Sequence, residues 1–264
     1  MMYYEVLGDP SPTAETVVLS AGLGGSGSFW QPQLAALAAE RRVILYDHNG
    51  TGRSGGTLAP GYRMADMAAE LAALLQRLEV QRCHLVGHAL GGIIGLQLAL
   101  DYPGLLHSLV VVNGWPVLDS QTRRCFNVRR DLLLNSGVEA YVRAQPLFLY
   151  PADWLSQHEA LLEQEQAHQV AHFQGMENLL HRLEALMAAD LRARLPALEA
   201  PVLALCARDD LLVPYPCSAA LAAALPQGHY QEMAYGGHAM SVTDPETFTS
   251  LLLAWLKRHP MEPV

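Results

Sequence analysis

The run Leu85-Val86-Gly87-His88-Ala89-Leu90-Gly91-Gly92 decides how this chain is read. Before it, residues 83–86 have the apolar character of a strand; after it, Ile93, Ile94, Leu96, Leu98 and Leu100 follow a helical pattern. Between them Gly87 and Gly91 hold the spacing of a G-x-S-x-G elbow. In such an elbow a serine is forced onto a tight strand-to-helix turn and its hydroxyl stands clear of the sheet. Glycines flank the turn because side chains there would collide. The middle residue here is Ala89, so the turn is a nucleophile elbow without its nucleophile.

The alternation of strand and helix continues on both sides. Residues 3–7, 15–20, 42–47, 106–113, 201–206 and 228–233 read as further strands. Helical spacing covers 30–39, 64–78, 217–225 and 244–258, the last opened by Asp244 as N-cap and Pro245 at the first helical position. This pattern predicts an α/β fold: a mostly parallel central sheet with helices on both faces. The texture changes over residues 118–189, which are helical and polar, with aromatics at intervals and no convincing strand. We expect a single domain whose core comprises 1–117 and 190–264, with 118–189 inserted as a helical cap.

Small-residue loops follow the strands: Gly22 to Ser26, His48 to Ser54, Gly87 to Gly91, Gly114-Trp115, Asp209-Asp210 and Gly236 to His238. In a parallel sheet these gather beyond the carboxyl ends of the strands, where ligands bind. The loop Ala21-Gly22-Leu23-Gly24-Gly25-Ser26-Gly27 admits three readings. It contains the string of a dinucleotide fingerprint, with Asp47 ending the next strand, but a lone match of this kind carries little weight. It reads equally as a plain flexible loop. The third reading, an oxyanion-hole loop, is the one the downstream elbow favours.

Composition narrows the function classes. The 264 residues are 51% hydrophobic and 16% charged, enough for one sizeable core. The 17 basic and 26 acidic residues give a net charge of −9 with no basic tract, which speaks against a nucleic-acid partner. Four cysteines lie scattered with no CxxC pair, and Cys83 and Cys206 fall in core strands as buried thiols. Eleven histidines lack HExxH spacing, so no metal and no cofactor is expected. Neither a signal peptide nor an apolar run of the ~18 residues a membrane span needs is present, and the expectation is a cytoplasmic protein off the membrane. A homodimer is compatible with the sequence, which shows no diagnostic seam.

Taken together, the motifs Ser20-Ala21-Gly22-Leu23-Gly24-Gly25, Asp47-x-x-Gly50-x-Gly52-x-Ser54, Gly87-His88-Ala89-Leu90-Gly91, Ala207-x-x-Asp210-x-x-x-Pro214 and Gly237-His238 resemble the α/β-hydrolase fold over essentially the whole chain. The resemblance implies Asp210 as the triad acid and His238 as the base. The backbone N–H groups of Leu23 and Leu90 would form the oxyanion hole, with Gly22 and Gly24 shaping that loop. Asp209 is adjacent, but the spacing to Pro214 favours Asp210. Two positions depart from the pattern: Ala89 for serine, and Ala21 for the histidine usual before the oxyanion-hole glycine.

Further stretches are similar to the hydrolase-like family of the Rut pyrimidine (uracil) degradation pathway. They include Asn113-Gly114-Trp115, Thr122-Arg123-Arg124-Cys125-Phe126, Gln145 to Trp154 and Ala171-His172-Phe173-Gln174-Gly175, and the alanine at the elbow belongs to the match. That resemblance implies hydrolysis of a small anionic intermediate, carbamate or 3-aminoacrylate.

Ala89 rules out a covalent route through the elbow, but His238 oriented by Asp210 retains general acid/base capacity. Among the remaining candidates for substrate binding, His88 either lines the pocket or bonds locally. Trp115 lines the pocket or packs under the cap. Arg123 or Arg124 would help hold an anion. Two other functions stay open on sequence: a non-catalytic ligand-binding homologue, and a serine esterase carrying a Ser→Ala replacement.

Overall fold

A computed structural model describes residues 2–261. Seven strands form one sheet in the order β1-β3-β2-β4-β5-β6-β7. They are β1 (Tyr4–Gly8), β2 (Thr16–Ser20), β3 (Arg42–Tyr46), β4 (Cys83–His88), β5 (Leu106–Val112), β6 (Val202–Ala207) and β7 (Gly228–Met233). β1 runs antiparallel to β3, and every other pairing is parallel. The helices are α1 (Gln31–Ala38), α2 (Met64–Arg77), α3 (Leu90–Asp101), α4 (Ser120–Leu149), α5 (Ala152–Gln157), α6 (Glu159–Ala171), α7 (Met176–Ala188), α8 (Tyr215–Ala223), α9 (Met240–Thr243) and α10 (Pro245–Arg258).

Both faces of the sheet are covered, which is why β2, β3, β4 and β6 are buried at every position. Val17 and Leu19 point with Val43, Val86 and Leu203 into a cluster completed by Leu34 and Leu37 of α1 and Phe248, Leu252 and Trp255 of α10. Val18, Ile44, Leu85 and Val111 point the other way, toward Leu71, Leu74 and Leu75 of α2 and Ile93, Ile94 and Leu96 of α3. This two-residue alternation divides the core into two layers.

From β2 the chain crosses to β3 on one side and later returns to place β4 on the other. The loops after β2 and β4 therefore diverge, and such a switch point opens a crevice at the carboxyl edge of the sheet.

Between β5 and β6 the described chain carries four α-helices, α4 to α7. The ends of this segment meet at an isolated bridge between Val117 and Asp190, and Leu191 N–H donates to Pro116 O at 3.1 Å. α4 is interrupted at Gly137 (φ 84°, ψ −178°). α7 grips the core loop after β3. Asn178 Nδ2 donates to Gly50 O (3.1 Å) and Gly56 O (3.0 Å), its Oδ1 accepts from Leu58 N–H (2.8 Å), and Arg182 donates to Asn49 O (2.5 Å). No helix among the described residues is long and apolar enough to cross a membrane.

Candidate active site

The elbow is built by close backbone approach. A Cβ on Gly87 would lie 2.3 Å from the carbonyl carbon of Gly91, and one on Gly91 would lie 2.2 Å from Ser20 O. Ala89 itself is held at φ 46°, ψ −106°, with its N–H bonded to Val112 O at 2.8 Å. A non-glycine residue at positive φ carries strain of order 1–3 kcal/mol, which the surrounding packing must sustain. α3 starts at the next residue, so Leu90 and Gly91 present amides of a helix N-terminus, where partial positive charge and free donors favour an anion. Among the described residues no hydroxyl or thiol stands at the elbow: Cys83 lies at the start of β4, and Cys125 is on α4.

His238 follows β7 and is buried, 3% exposed. Its Nδ1–H donates to Asp210 Oδ2 at 2.8 Å. The other oxygen of Asp210 accepts from the N–H groups of Leu212 (2.8 Å) and Val213 (2.9 Å), which fixes the carboxylate plane. With Nδ1 so engaged, the neutral ring carries its free lone pair on Nε2. Asp209 does something else: it accepts from Gly236 N–H (3.2 Å) and Gly237 N–H (2.9 Å) and so shapes the loop that delivers His238.

His88 braces the same loop. Its Nε2 faces the carbonyl of His238 at 2.8 Å and can only donate there, and its ring lies 4.6 Å from that of His238 and stacks on Phe29 at 4.5 Å. Burial drives its pKa down to about 3, and the neighbouring His238 pushes it the same way, so it stays neutral. Asn113, at φ 52°, donates from Nδ2 to the same His238 carbonyl (2.7 Å) and accepts at Oδ1 from Ala207 N–H (3.1 Å). Sequence reasoning assigned Asn113 no role. Its signal was an asparagine before glycine at a strand end, where a left-handed backbone is tolerated.

The loop after β2 turns through Gly25 N–H to Gly22 O (3.0 Å). Gly22 closes on His88, whose Nδ1 would be 2.7 Å from an added Cβ; Gly24 is exposed, and a Cβ there would meet nothing within 4 Å. Leu23 packs on the cluster that includes Ala89, Leu90 and Trp115, and its carbonyl accepts from Gln174 at 3.4 Å. Trp115 is 1% exposed and packs against Phe126 at 6.2 Å. Arg123 and Arg124 are exposed and lie outside the buried stripe of α4, so the structure does not bring them to this cluster. The buried arginine of that helix is Arg129.

Comparison with known proteins agrees with this architecture. A family model for the α/β hydrolase fold matches residues 15–136. The chain is 68% identical over 262 residues to RutD of Pantoea ananatis, a carbamate hydrolase by provisional name, with 99% of this chain and 95% of the relative covered. The chain belongs to the RutD family. To the RutD protein of Escherichia coli O1:K1, which bears the same name, it is 54% identical over 244 residues, 92% of each chain. Among solved structures, the enol-lactonase of Burkholderia xenovorans superposes with a TM-score of 0.88 at 25% identity, covering 97% of this chain and 96% of that one. The RutD family thus joins an α/β-hydrolase sheet to an elbow that, in this member, carries alanine.

Proposed function

We propose that this RutD-family chain hydrolyses a small anionic intermediate of uracil catabolism by non-covalent general acid/base catalysis, without a cofactor. The substrate is carbamate, giving ammonia and carbon dioxide, or 3-aminoacrylate, giving malonic semialdehyde and ammonia. One observation carries the reading: the buried His238–Asp210 pair, 2.8 Å apart, beside an elbow whose side chain is a methyl group. A triad that keeps its acid and base but has no nucleophile retains proton transfer and loses acylation. The carbamate hydrolase names of relatives at 54–68% identity support the substrate class.

The chemistry fits what remains. For 3-aminoacrylate, a proton delivered to C2 gives an iminium ion. Water adds to its carbon as His238 Nε2 takes the water's proton, and ammonia leaves from the carbinolamine to yield the aldehyde. For carbamate, a proton delivered to nitrogen breaks the C–N bond and releases ammonia and carbon dioxide. Both compounds decay unaided in water, so the ~10²–10⁴-fold typical of a positioned acid or base is sufficient. In this reading the amides of Leu23 and Leu90 serve as the oxyanion hole, and the methyl group of Ala89 stands where a serine would project. We read residues 118–189 as a cap over this site. The Val117–Asp190 bridge at its neck and the bond from Ala239 N–H to Leu149 O (2.9 Å) support that division.

The test follows ammonia release from freshly generated carbamate and aminoacrylate, with a generic ester alongside. His238→Ala should fall to the spontaneous rate, while Ala89→Ser should fold and retain ammonia release. If wild type and His238→Ala both match buffer, the proposal fails in favour of a binding protein; strong ester cleavage confined to Ala89→Ser would point to an esterase instead.

A further inference from the structure

α4 turns Thr122, Cys125, Phe126, Arg129 and Leu133 inward, the spacing of one helix face. Arg129 is the charged member of that stripe. It is 4% exposed, and no carboxylate among the described residues pairs with it. Its guanidinium lies 5.7 Å from the ring centre of Phe126, 5.6 Å from Tyr141 and 5.8 Å from Phe148. It donates to Tyr141 Oη (3.1 Å) and to Gln145 Oε1, both neutral acceptors. Its Nε–H is buried without a partner. An uncompensated buried cation is strongly unfavourable, and aromatic faces and two neutral acceptors offset that only in part.

Two further polar atoms are buried without partners, the indole Nε1–H of Trp115 and the hydroxyl of Thr122. Trp115 packs on Phe126, and Thr122 stands one helical turn before Phe126 on the same face. Phe126 and Trp115 share their apolar cluster with Ala89 and Leu90, and Leu23 and Phe148 pack against it. Leu23 also packs on the neighbouring cluster that contains Tyr141. Burial raises the Cys125 thiol, which feels both Arg129, lowering it, and Asp210, raising it, so both charges act on this face of α4. A protein of net charge −9 that takes an anion needs such a local cation.

We infer that Arg129, helped by Trp115 Nε1–H and the Thr122 hydroxyl, is the anchor for the –COO⁻ group of the substrate, a carboxylate or carbamate. This rests on the reading of the elbow as the reaction site. With the anionic end held at Arg129, the nitrogen-bearing end faces His238. A guanidinium suits this role because its planar fork matches two carboxylate oxygens, which a lysine ammonium cannot do.

Sodium acrylate, a stable planar carboxylate, is the probe, with acrylamide as its neutral counterpart; binding is measured calorimetrically on the full chain. Wild type should bind acrylate at least about 10-fold more tightly than acrylamide, and Arg129→Met should lose about 10-fold or more of the acrylate affinity without changing that for acrylamide. Arg129→Lys, which keeps the charge and loses the fork, should be intermediate, and it carries the test if Arg129→Met does not fold. A merely structural arginine would alter thermal stability without altering the preference for acrylate. The inference is overturned if wild type does not distinguish the two probes, or if folded Arg129 variants bind acrylate as wild type does. Failure of the ammonia assay with Arg129-dependent acrylate binding intact would sink hydrolysis alone, and the reverse outcome would sink the anion anchor alone.

Discussion

Ala89 occupies a backbone conformation, φ 46° and ψ −106°, that exists in this fold to project a nucleophile. The strain is retained because the turn is locked from both sides, by Gly91 against Ser20 O and by Gly87 against the Gly91 carbonyl. Gly91→Ala should therefore cost about 3 kcal/mol or more in urea unfolding, since its Cβ meets backbone that cannot move aside, whereas Gly24→Ala, with nothing within 4 Å, should change stability by no more than about 0.5 kcal/mol. The elbow glycines were legible in the sequence because their requirement is local. Spacing to Pro214 singled out Asp210, and in the structure the two neighbouring aspartates take different partners, His238 for one and the Gly236–Gly237 amides for the other. The bracing of the His238 carbonyl by His88 and Asn113 was not legible, since both partners lie more than a hundred residues away along the chain.

α7 is bonded to the loop that follows β3. Asn178 makes bonds to Gly50, Gly56, Leu58 and Gln174, and the buried Arg182 reaches Asn49 O. Burial lowers Arg182 to about 10, so it remains charged at neutral pH. Asn178→Ala leaves several buried backbone groups unpaired and should cost about 2–3 kcal/mol. Hydrogen exchange should speed up across residues 50–58, while amides in β2, β4 and α10 keep their protection; uniform loss over the whole chain would show that α7 is not a separate clamp. The helical character of 118–189 was visible from composition and spacing. The buried stripe on α4 was also present in the pattern Thr122, Cys125, Phe126, Arg129, Leu133, but the two arginine pairs of this helix, Arg123-Arg124 and Arg129-Arg130, look alike in sequence, and only packing buries Arg129 while Arg123 and Arg124 stay exposed.

For the molecule as a whole, two histidines buried in the neutral form lower stability in acid. Burial takes His88 down to about 3 and His48 down to about 4, the latter also repelled by Arg182, from an ordinary value of 6.5. Between those values the unfolded chain binds protons that the folded one refuses, so stability rises with pH through this window and falls as pH drops from about 6.5 toward 4, by roughly 1 kcal/mol per pH unit for each histidine. A thermal midpoint that declines over this range, and declines less steeply in His48→Gln, is the expected result; a midpoint flat from pH 6.5 to 4 would contradict it. Alternating strands and helices, the two-layer core and the loops at one sheet edge follow from short-range hydrophobic period and turn chemistry, so they could be read along the chain. Strand order, the antiparallel setting of β1, the burial of Arg129 where Arg123 and Arg124 stay exposed, and the pairing of His88 and Asn113 with one carbonyl required the folded molecule. Those features depend on which distant segments pack together, and burial, which decides whether a charge is solvated or must find a partner, exists only once they have.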